Sequence, residues 1–180
     1  LETILENRNV DYTEVVKTND NQKIIYLAGD PLEDACRKQM ETFPANLKEL
    51  GLEVSTGAVV DFRLKSYLKT ELNCQNVPLI YPESVKVNQL IYPPIKHRKP
   101  IAIEHNLNTE KWLVKPGWYV LIKRFSAKEE KRRLVAAVCP PFSQTFFAIE
   151  NHLNYYHAQG EGMDVNLARG LTAFLNSSLC

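Results

Sequence analysis

Residues 118–139 read WYVLIKRFSAKEEKRRLVAAVC. Two runs, 118–125 rich in aromatic and β-branched residues and 132–139 mainly apolar, flank the charged stretch SAKEEK, and Pro116-Gly117 and Pro140-Pro141 bracket the pair. Such side chains suit a half-buried pleated surface, and Pro and Gly end it, so the pattern predicts an antiparallel hairpin. One local signal competes. Ser126 and Glu129 have the spacing of a capping box, and KEEKRRLVAA tolerates a helix. The bracketing turns favour the hairpin.

Outward from this stretch the same signals recur. Toward the C-terminus, FFAIE (146–150) reads as a strand leading into NHLNYYH and the polar loop AQGEG. Asp164 then caps a final helix whose Leu167, Leu171, Phe174 and Leu175 recur at helical spacing. Toward the N-terminus, VPLIYP (77–82) and QLIYPP (89–94) are short apolar runs closed by prolines, which suits edge strands or strand ends. VSTGAVVDF (54–62) sets a Ser-Thr-Gly turn beside a short strand. Residues 12–18 and 23–28, joined by NDNQ, predict a further hairpin.

A helix is predicted to start at Asp30-Pro31-Leu32-Glu33, where Asp30 can cap, Pro31 is preset for the first position and Glu33 complements the dipole. Leu32, Cys36, Met40 and Phe43 give it one apolar face; Pro44 stops it and Gly51 is a natural cap after NLKEL. There are no repeats and no regular βαβ alternation. The expected fold class is α+β: a mixed, largely antiparallel β-rich domain with flanking helices, residues 1–46 supplying an N-terminal hairpin and helix to the same domain as residues 47–180.

Composition narrows the function. With 180 residues, 44% hydrophobic and 24% charged, the chain has globular averages and room for one domain. No apolar run approaches the ~20 residues that span a bilayer, and no basic segment followed by an apolar one marks a signal peptide. The first residue is not Met and the chain stops in an unfinished helical pattern, so a piece of a longer protein is expected. Cys36, Cys74, Cys139 and Cys180 are far apart, and His97, His105, His152 and His157 lack ligand spacing. This speaks against a zinc site or a disulfide framework and for a reduced, cytoplasmic setting.

Charge is uneven. Residues 1–50 hold 6 Lys/Arg against 10 Asp/Glu, whereas residues 96–133 hold 11 against 4. A basic cluster of this kind is the footprint of an anionic partner, because Lys and Arg release counterions from phosphates. No GxGxxG, Walker or GxSxG pattern is present. Asp61 and Glu71 with Lys65 are the one loose set that could serve a metal-dependent nuclease. Cys139-Pro140-Pro141-Phe142 echoes the Pro-Pro motif of amino-methyltransferases, but cysteine is a poor acceptor for a target amino group, and no cofactor loop precedes it. The side chains that remain are donors in turns. They are Lys96, Arg98 and Lys99 between two proline-marked strands, then Lys123, Arg124, Lys128, Lys131, Arg132 and Arg133 in the hairpin, and Asn151, His152, Asn154 and Tyr155 near the terminal strand. Arg and Lys suit phosphates and guanine edges, and Asn suits adenine.

Several strings together resemble one family. Val54-Ser55-Thr56-Gly57 running into Val59-Val60-Asp61-Phe62-Arg63 is similar to the STGRVVDFR segment of adenine-specific DNA methyltransferases of type II restriction–modification systems, with Ala58 where that string has Arg. The segments 77–82, 119–126 with 128–133, 150–155, 167–171 and 174–177 follow in the family's order. The resemblance covers about residues 47–179 and falls in the family's target-recognition region. It implies a module that reads double-stranded DNA and presents one adenine to a catalytic domain that is not in this chain. S-adenosylmethionine would belong to that domain, with no cofactor in this one, and the partners would be DNA and the catalytic domain, not a membrane. It adds Ser55, Thr56, Gly57, Arg63 and Ser126 to the DNA-binding candidates. The alternative is a protein-docking module for another restriction–modification subunit.

Overall fold

Alternation of apolar side chains shapes the larger part of the molecule. In the computed structural model, which describes residues 9–19, 24–27, 31–95, 98–127 and 129–178, the chain divides into two compact units, residues 1–46 and 47–180. The smaller unit holds helices α1 (Tyr12–Val15) and α2 (Pro31–Met40). The larger holds β1 (Glu53–Thr56), β2 (Leu68–Lys69), β3 (Asn76–Ile80), β4 (Val85–Lys86), β5 (Gln89–Leu90), β6 (Ala102–Glu104) and β7 (Leu113–Val114). It continues with β8 (Tyr119–Lys123), β9 (Ala136–Cys139), β10 (Phe147–Ile149), β11 (Leu153–His157) and the final helix α3 (Val165–Leu175). The fold is α+β, with mostly antiparallel sheets and few helices.

In the smaller unit the first expected strand begins as a helical turn. The Asp11 carboxylate accepts from the Thr13 N–H at 2.8 Å and from the Thr13 hydroxyl, which caps α1. Of the expected hairpin the Val16–Ile25 bridge forms, with the Tyr26 N–H donating to the Val15 carbonyl. Most of its turn, like Asp30, lies outside the described residues. Helix α2 starts at Pro31 as expected, but its expected apolar face is not buried. Leu32 is 72% and Met40 55% exposed, and Cys36 is also exposed. The buried position is Asp34, which pairs with Arg37 at 2.9 Å. Gly51 adopts φ +68° and closes the turn 47–51 instead of ending a helix.

The larger unit is layered. One antiparallel sheet runs β1-β11-β8-β9; a second runs β2-β6-β3-β10-β7, with β3 and β10 parallel. Tyr119, Leu121, Ala137, Cys139 and Leu153 of the first sheet share a core with Ile80, Phe147 and Ile149 of the second. The other face of the first sheet, through Val120, Ile122 and Ala136, packs on Ala168 and Leu175 of α3. The other face of the second, through Val77, Leu79, Ile103 and Ala148, forms a third cluster with Val59 and Leu64. Period-two alternation thus sends neighbours Leu79 and Ile80, or Val120 and Leu121, to different cores.

Two expectations about strands are refined by the structure. Of the two readings of the 77–82 run, the strand end holds, with Pro82 just past β3, whereas β3 itself is a fully buried central strand and not an edge, although it contains Pro78. Its neighbours β6 and β10 are three residues each, so the ladders are short and the missing N–H removes little pairing. The 118–139 hairpin forms with Tyr119 opposite Cys139 and Ile122 opposite Ala136, but its second arm begins at Ala136 rather than Arg132. Residues 124–135 form an irregular connection in which the competing helix is absent among the described residues.

β9 is the edge of its sheet, and one side chain covers that edge. Buried Asn176, just beyond α3, accepts from the Ala136 N–H at 3.0 Å and donates Nδ2 to the Ala136 carbonyl at 2.8 Å and to Asn88 Oδ1 at 2.7 Å. It pairs with Ala136 as a strand would. Asp164 caps the other end of α3 by accepting from the Asn166 and Leu167 N–H groups, as its sequence predicts. Asn176→Ala leaves the Ala136 N–H buried and unpaired, while the Ala136 carbonyl keeps the Asn88 N–H at 3.0 Å. Stability is expected to fall by about 2 kcal/mol, with Tm about 5 °C lower, as read by calorimetry; an unchanged Tm would contradict this role.

Burial also sets an alkaline limit. It pushes the Tyr92 and Tyr119 hydroxyls, which donate to the Ile101 and Lys115 carbonyls, up to about 12, and raises Tyr81 and Tyr155. A folded value above the unfolded value of about 10 contributes stability that is whole below pH ~10 and lost as pH rises toward ~12. Ultraviolet titration should therefore show these four of the eight tyrosines ionising late and together with unfolding. All eight ionising near pH ~10 with far-UV dichroism unchanged would refute it.

Candidate nucleic-acid interface

The turn between β10 and β11 organises the site. Gly57 donates its N–H to the Leu153 carbonyl at 2.9 Å, Val59 donates to Ile149 at 3.1 Å, and Asn151 donates back to Val59 at 2.9 Å. A Cβ on Gly57 would stand 2.2 Å from the Glu150 carbonyl oxygen, so this crossing requires glycine. Gly57 is therefore buried and serves this crossing. The turn carries Glu150, whose side chain is wholly buried. Its carboxylate accepts from the His152 N–H at 3.0 Å and from His152 Nδ1 at 2.5 Å. Donation through Nδ1 leaves Nε2 facing away from the carboxylate, on a ring that is half exposed.

The end of β8 meets this turn. Arg124 donates its N–H to the His152 carbonyl at 3.0 Å and Nη1 to the Asn151 carbonyl at 3.3 Å. Its guanidinium lies 5.1 Å from the centre of the Phe125 ring, and the Phe125 and His152 rings are 5.7 Å apart. Phe125, His152, Lys123, Lys99 and Pro82 line an open cleft of about 240 Å³. Lys99 also borders a larger cleft of about 750 Å³ with Arg98, Tyr81, Ser84 and Ile95. The Lys99 ammonium lies 4.6 Å from the centre of the Tyr81 ring and 3.9 Å from Asp61. Cations from the 98–99 loop and from β8 thus converge with an exposed aromatic ring.

The remaining predicted residues fall elsewhere. Ser55 and Thr56 lie on edge strand β1. The Ser55 hydroxyl is 2.8 Å from His157 Nε2, while His157 Nδ1 accepts from the Gly160 N–H. The imidazole proton is therefore on Nε2 and donated to Ser55, so this pair does not activate a nucleophile. Thr56 donates to Asn154 Oδ1 at 3.0 Å across the ladder. Tyr155 packs against Tyr119 and His157 in the core between the sheets, and is a packing residue.

Arg63 is exposed, with its guanidinium over Phe62, and Ser126 is half-buried in the hairpin connection. Arg132 donates to the Asn176 carbonyl at 2.6 Å, which ties it to the end of α3. It lines a separate cleft with Lys131 and Arg133. Lys96 and Lys128 lie outside the described residues. Sequence reasoning missed Phe125, Pro82 and Glu150 as members of the site. An exposed-type basic run interrupted by one Phe was the available signal for the first.

Other chemistry has little support. Among the described residues no group of three His, Cys, Asp or Glu could hold a metal, and Asp61 meets Lys99 rather than Lys65. Burial pushes the Cys139 thiol up, which leaves it unreactive at the end of β9. No helix among the described residues is long and apolar enough to cross a membrane.

The chain is similar to two curated proteins. It is 38% identical over 172 residues to the Type II methyltransferase M.PstI of Providencia stuartii, covering 94% of this chain and 34% of that protein. It is 39% identical over 178 residues to the Type II methyltransferase M.BsuBI of Bacillus subtilis, covering 98% of this chain and 35% of that one. The chain therefore spans about a third of the length of these relatives, and both compact units take part in the match. No protein-family profile matches it, and no solved structure does.

The Glu150–His152 pair gives a direct test of the turn. His152→Ala removes one partner of a buried carboxylate and should lower stability by about 1–2 kcal/mol, His152 being half exposed. The change should be smaller in a Glu150→Gln background. A double-mutant cycle by urea unfolding measures the coupling; additive effects would show that the two side chains act independently.

Proposed function

We propose that this chain is the DNA-reading part of a site-specific adenine N6-methyltransferase of a restriction–modification system. On this reading a catalytic domain elsewhere in the same polypeptide uses S-adenosylmethionine, and the protein works in the cytoplasm on double-stranded DNA. The carrying observation is the convergence of Lys99, Lys123, Arg124 and His152 around exposed Phe125, in a chain similar to type II methyltransferases over a third of their length. Adenine specificity and the target-recognition role of residues 47–180 rest on the resemblance of the 54–63 and 119–133 segments.

The residues here do not fit the cofactor. Gly57 is packed on the Glu150 carbonyl, and Gly117 and Gly162 face one another so closely that a Cβ on either would clash, so these glycines close backbone crossings and cradle nothing. This chain's own work is grip and readout. Lys99, Lys123 and Arg124 would meet phosphates, which fixes the register on the duplex, and Asn151, His152 and Arg98 would approach base edges. A docking role for the smaller unit is the second reading, supported by its exposed Ile25, Leu32 and Met40.

Duplex binding measured by fluorescence anisotropy across a salt series separates the two, in the chain and in the full-length protein. Affinity should fall steeply with salt. Lys99→Gln/Lys123→Gln should reduce the slope of log affinity against log salt by about 2. Arg132→Gln should instead lower stability, with little change in slope. Absence of duplex binding at low salt in both proteins would sink the DNA reading and leave the docking one.

A further inference from the structure

We infer that the apolar stripe of α2, formed by Leu32, Cys36 and Met40, is covered in the full-length protein by a part of the polypeptide outside this chain. This deepens the proposed reading and rests on it in one respect, that the chain is a piece of a longer methyltransferase. The starting observation is a unit without a core. Among the described residues of 1–46 only Asp34 is buried, and no apolar side chain is. A unit of 46 residues that buries no apolar side chain has little to offset the entropy of ordering it. Something outside the unit completes it.

The helix is also inside out. Its polar side makes the contacts within the unit: Arg37 reaches Asp34 at 2.9 Å and Glu41 at 3.2 Å, and its guanidinium lies 5.5 Å from the centre of the Tyr26 ring. Lys17, next to the Val16–Ile25 bridge, pairs with the same Glu41. These contacts turn the polar side of α2 toward the bridge. Leu32, Cys36 and Met40, four residues apart and so on one stripe, are left exposed, Leu32 and Met40 by more than half. Helices ordinarily bury such a stripe. Ile25 and Leu27 of the same unit are exposed too.

Charge selects the occupant. Residues 1–46 carry 5 Lys/Arg against 9 Asp/Glu, a balance of −4, so the unit repels phosphates and its apolar stripe does not suit a nucleic acid. A second copy suits it no better, because a two-fold pairing sets one acidic unit against another. Chain in the same polypeptide has neither fault. The match to the two methyltransferases takes in both units yet covers only 34% and 35% of their lengths, so about two-thirds of each lies beyond it. A covalently linked partner meets α2 at high effective concentration, so a modest apolar contact suffices. The covering surface is therefore expected to be apolar, with Lys or Arg at its border.

Cys36 sits in the middle of the stripe and reports on it. Thiol alkylation, followed peptide by peptide with mass spectrometry, compares the 180-residue chain with the full-length protein. Exposed Cys74 and buried Cys139 of the larger unit are the fast and slow references. Relative to Cys74, Cys36 should react about ten-fold more slowly in the full-length protein than in the 180-residue chain. Leu32→Ser/Met40→Ser should restore most of the lost rate in the full-length protein. In the 180-residue chain, where both positions are exposed, the same change should leave far-UV dichroism as it is. Equal Cys36 rates in the two proteins, or protection that survives the double substitution, overturn the inference. So does protection already present in the 180-residue chain, which would mean that the chain covers its own stripe. Protection that follows protein concentration together with a dimer's mass would put a second copy there and overturn it too. No DNA enters the assay, so failure of the duplex reading leaves this result standing, and failure here leaves the duplex reading standing.

Discussion

The contact of Gly57 with the Glu150 carbonyl is the constraint on which the site depends. No side chain fits there, so the segment after β1 can lie flat against the turn that leads from β10 in one sheet to β11 in the other. That flat crossing lets Val59 and Asn151 exchange backbone hydrogen bonds with the turn and its flanks. The Glu150 side chain in this turn is sealed from water. A sealed carboxylate must find donors, because burying an unpaired charge is far more unfavourable than any packing gain around it. The nearest donors are the N–H and Nδ1 of His152, two residues on. One close backbone approach therefore dictates where an imidazole stands on the surface, and the imidazole in turn borders Phe125.

Positive charge alone does not mark the interface, because the fold already engages several of the basic groups. Arg132 closes the end of α3 through the Asn176 carbonyl, Lys115 pairs with Glu161 at 2.7 Å, and Lys69 pairs with Glu104 at 3.2 Å. Lys99 differs in degree. Its 3.9 Å separation from Asp61, with both side chains about two-fifths exposed, is a weak and salt-screened contact. A phosphate can displace it with little loss, whereas displacing Arg132 would expose a helix terminus. The convergence at the 240 Å³ cleft matters because Lys99 and Lys123, far apart in sequence, line it together beside the exposed Phe125.

The sequence was most legible where the physics is local. The β8–β9 pairing follows from two apolar runs and their bracketing turns, and the start of α3 follows from Asp164 alone. It was least legible where a neighbour decides. The proline that closes 77–82 suited an edge strand or a strand end alike, and only the sheet order decides that β3, with Pro78 inside it, is central. Leu32, Cys36 and Met40 repeat at helical spacing, yet spacing does not say what lies opposite, and they are exposed. The site follows the same division. The 131–133 cluster is conspicuous in sequence, but one of its arginines serves α3. The cleft draws on positions 82, 99, 123, 125 and 152, which only the sheet order brings together. Tyr155 and Asn154 are adjacent in sequence but on opposite faces of β11, so one pairs with Thr56 and the other fills the core.

The arrangement also explains why the candidate contacts sit on connections and still act as fixed groups. A contact on a strand would face a core on each side, since both faces of the first sheet are covered, by α3 and by the second sheet. Strand ends and turns reach solvent, as does edge strand β1. Turns are ordinarily mobile, and mobility would blur any readout of base edges. Here the end of β8 is bonded to the His152 and Asn151 carbonyls, and the His152 turn is locked from below by Gly57 and Glu150. The other arm, where it leaves the 124–135 connection, is held by Asn176 on Ala136. Anchoring both ends leaves the surface groups of this cleft with the precision of the scaffold beneath them, which is what recognition of an irregular polyanion requires.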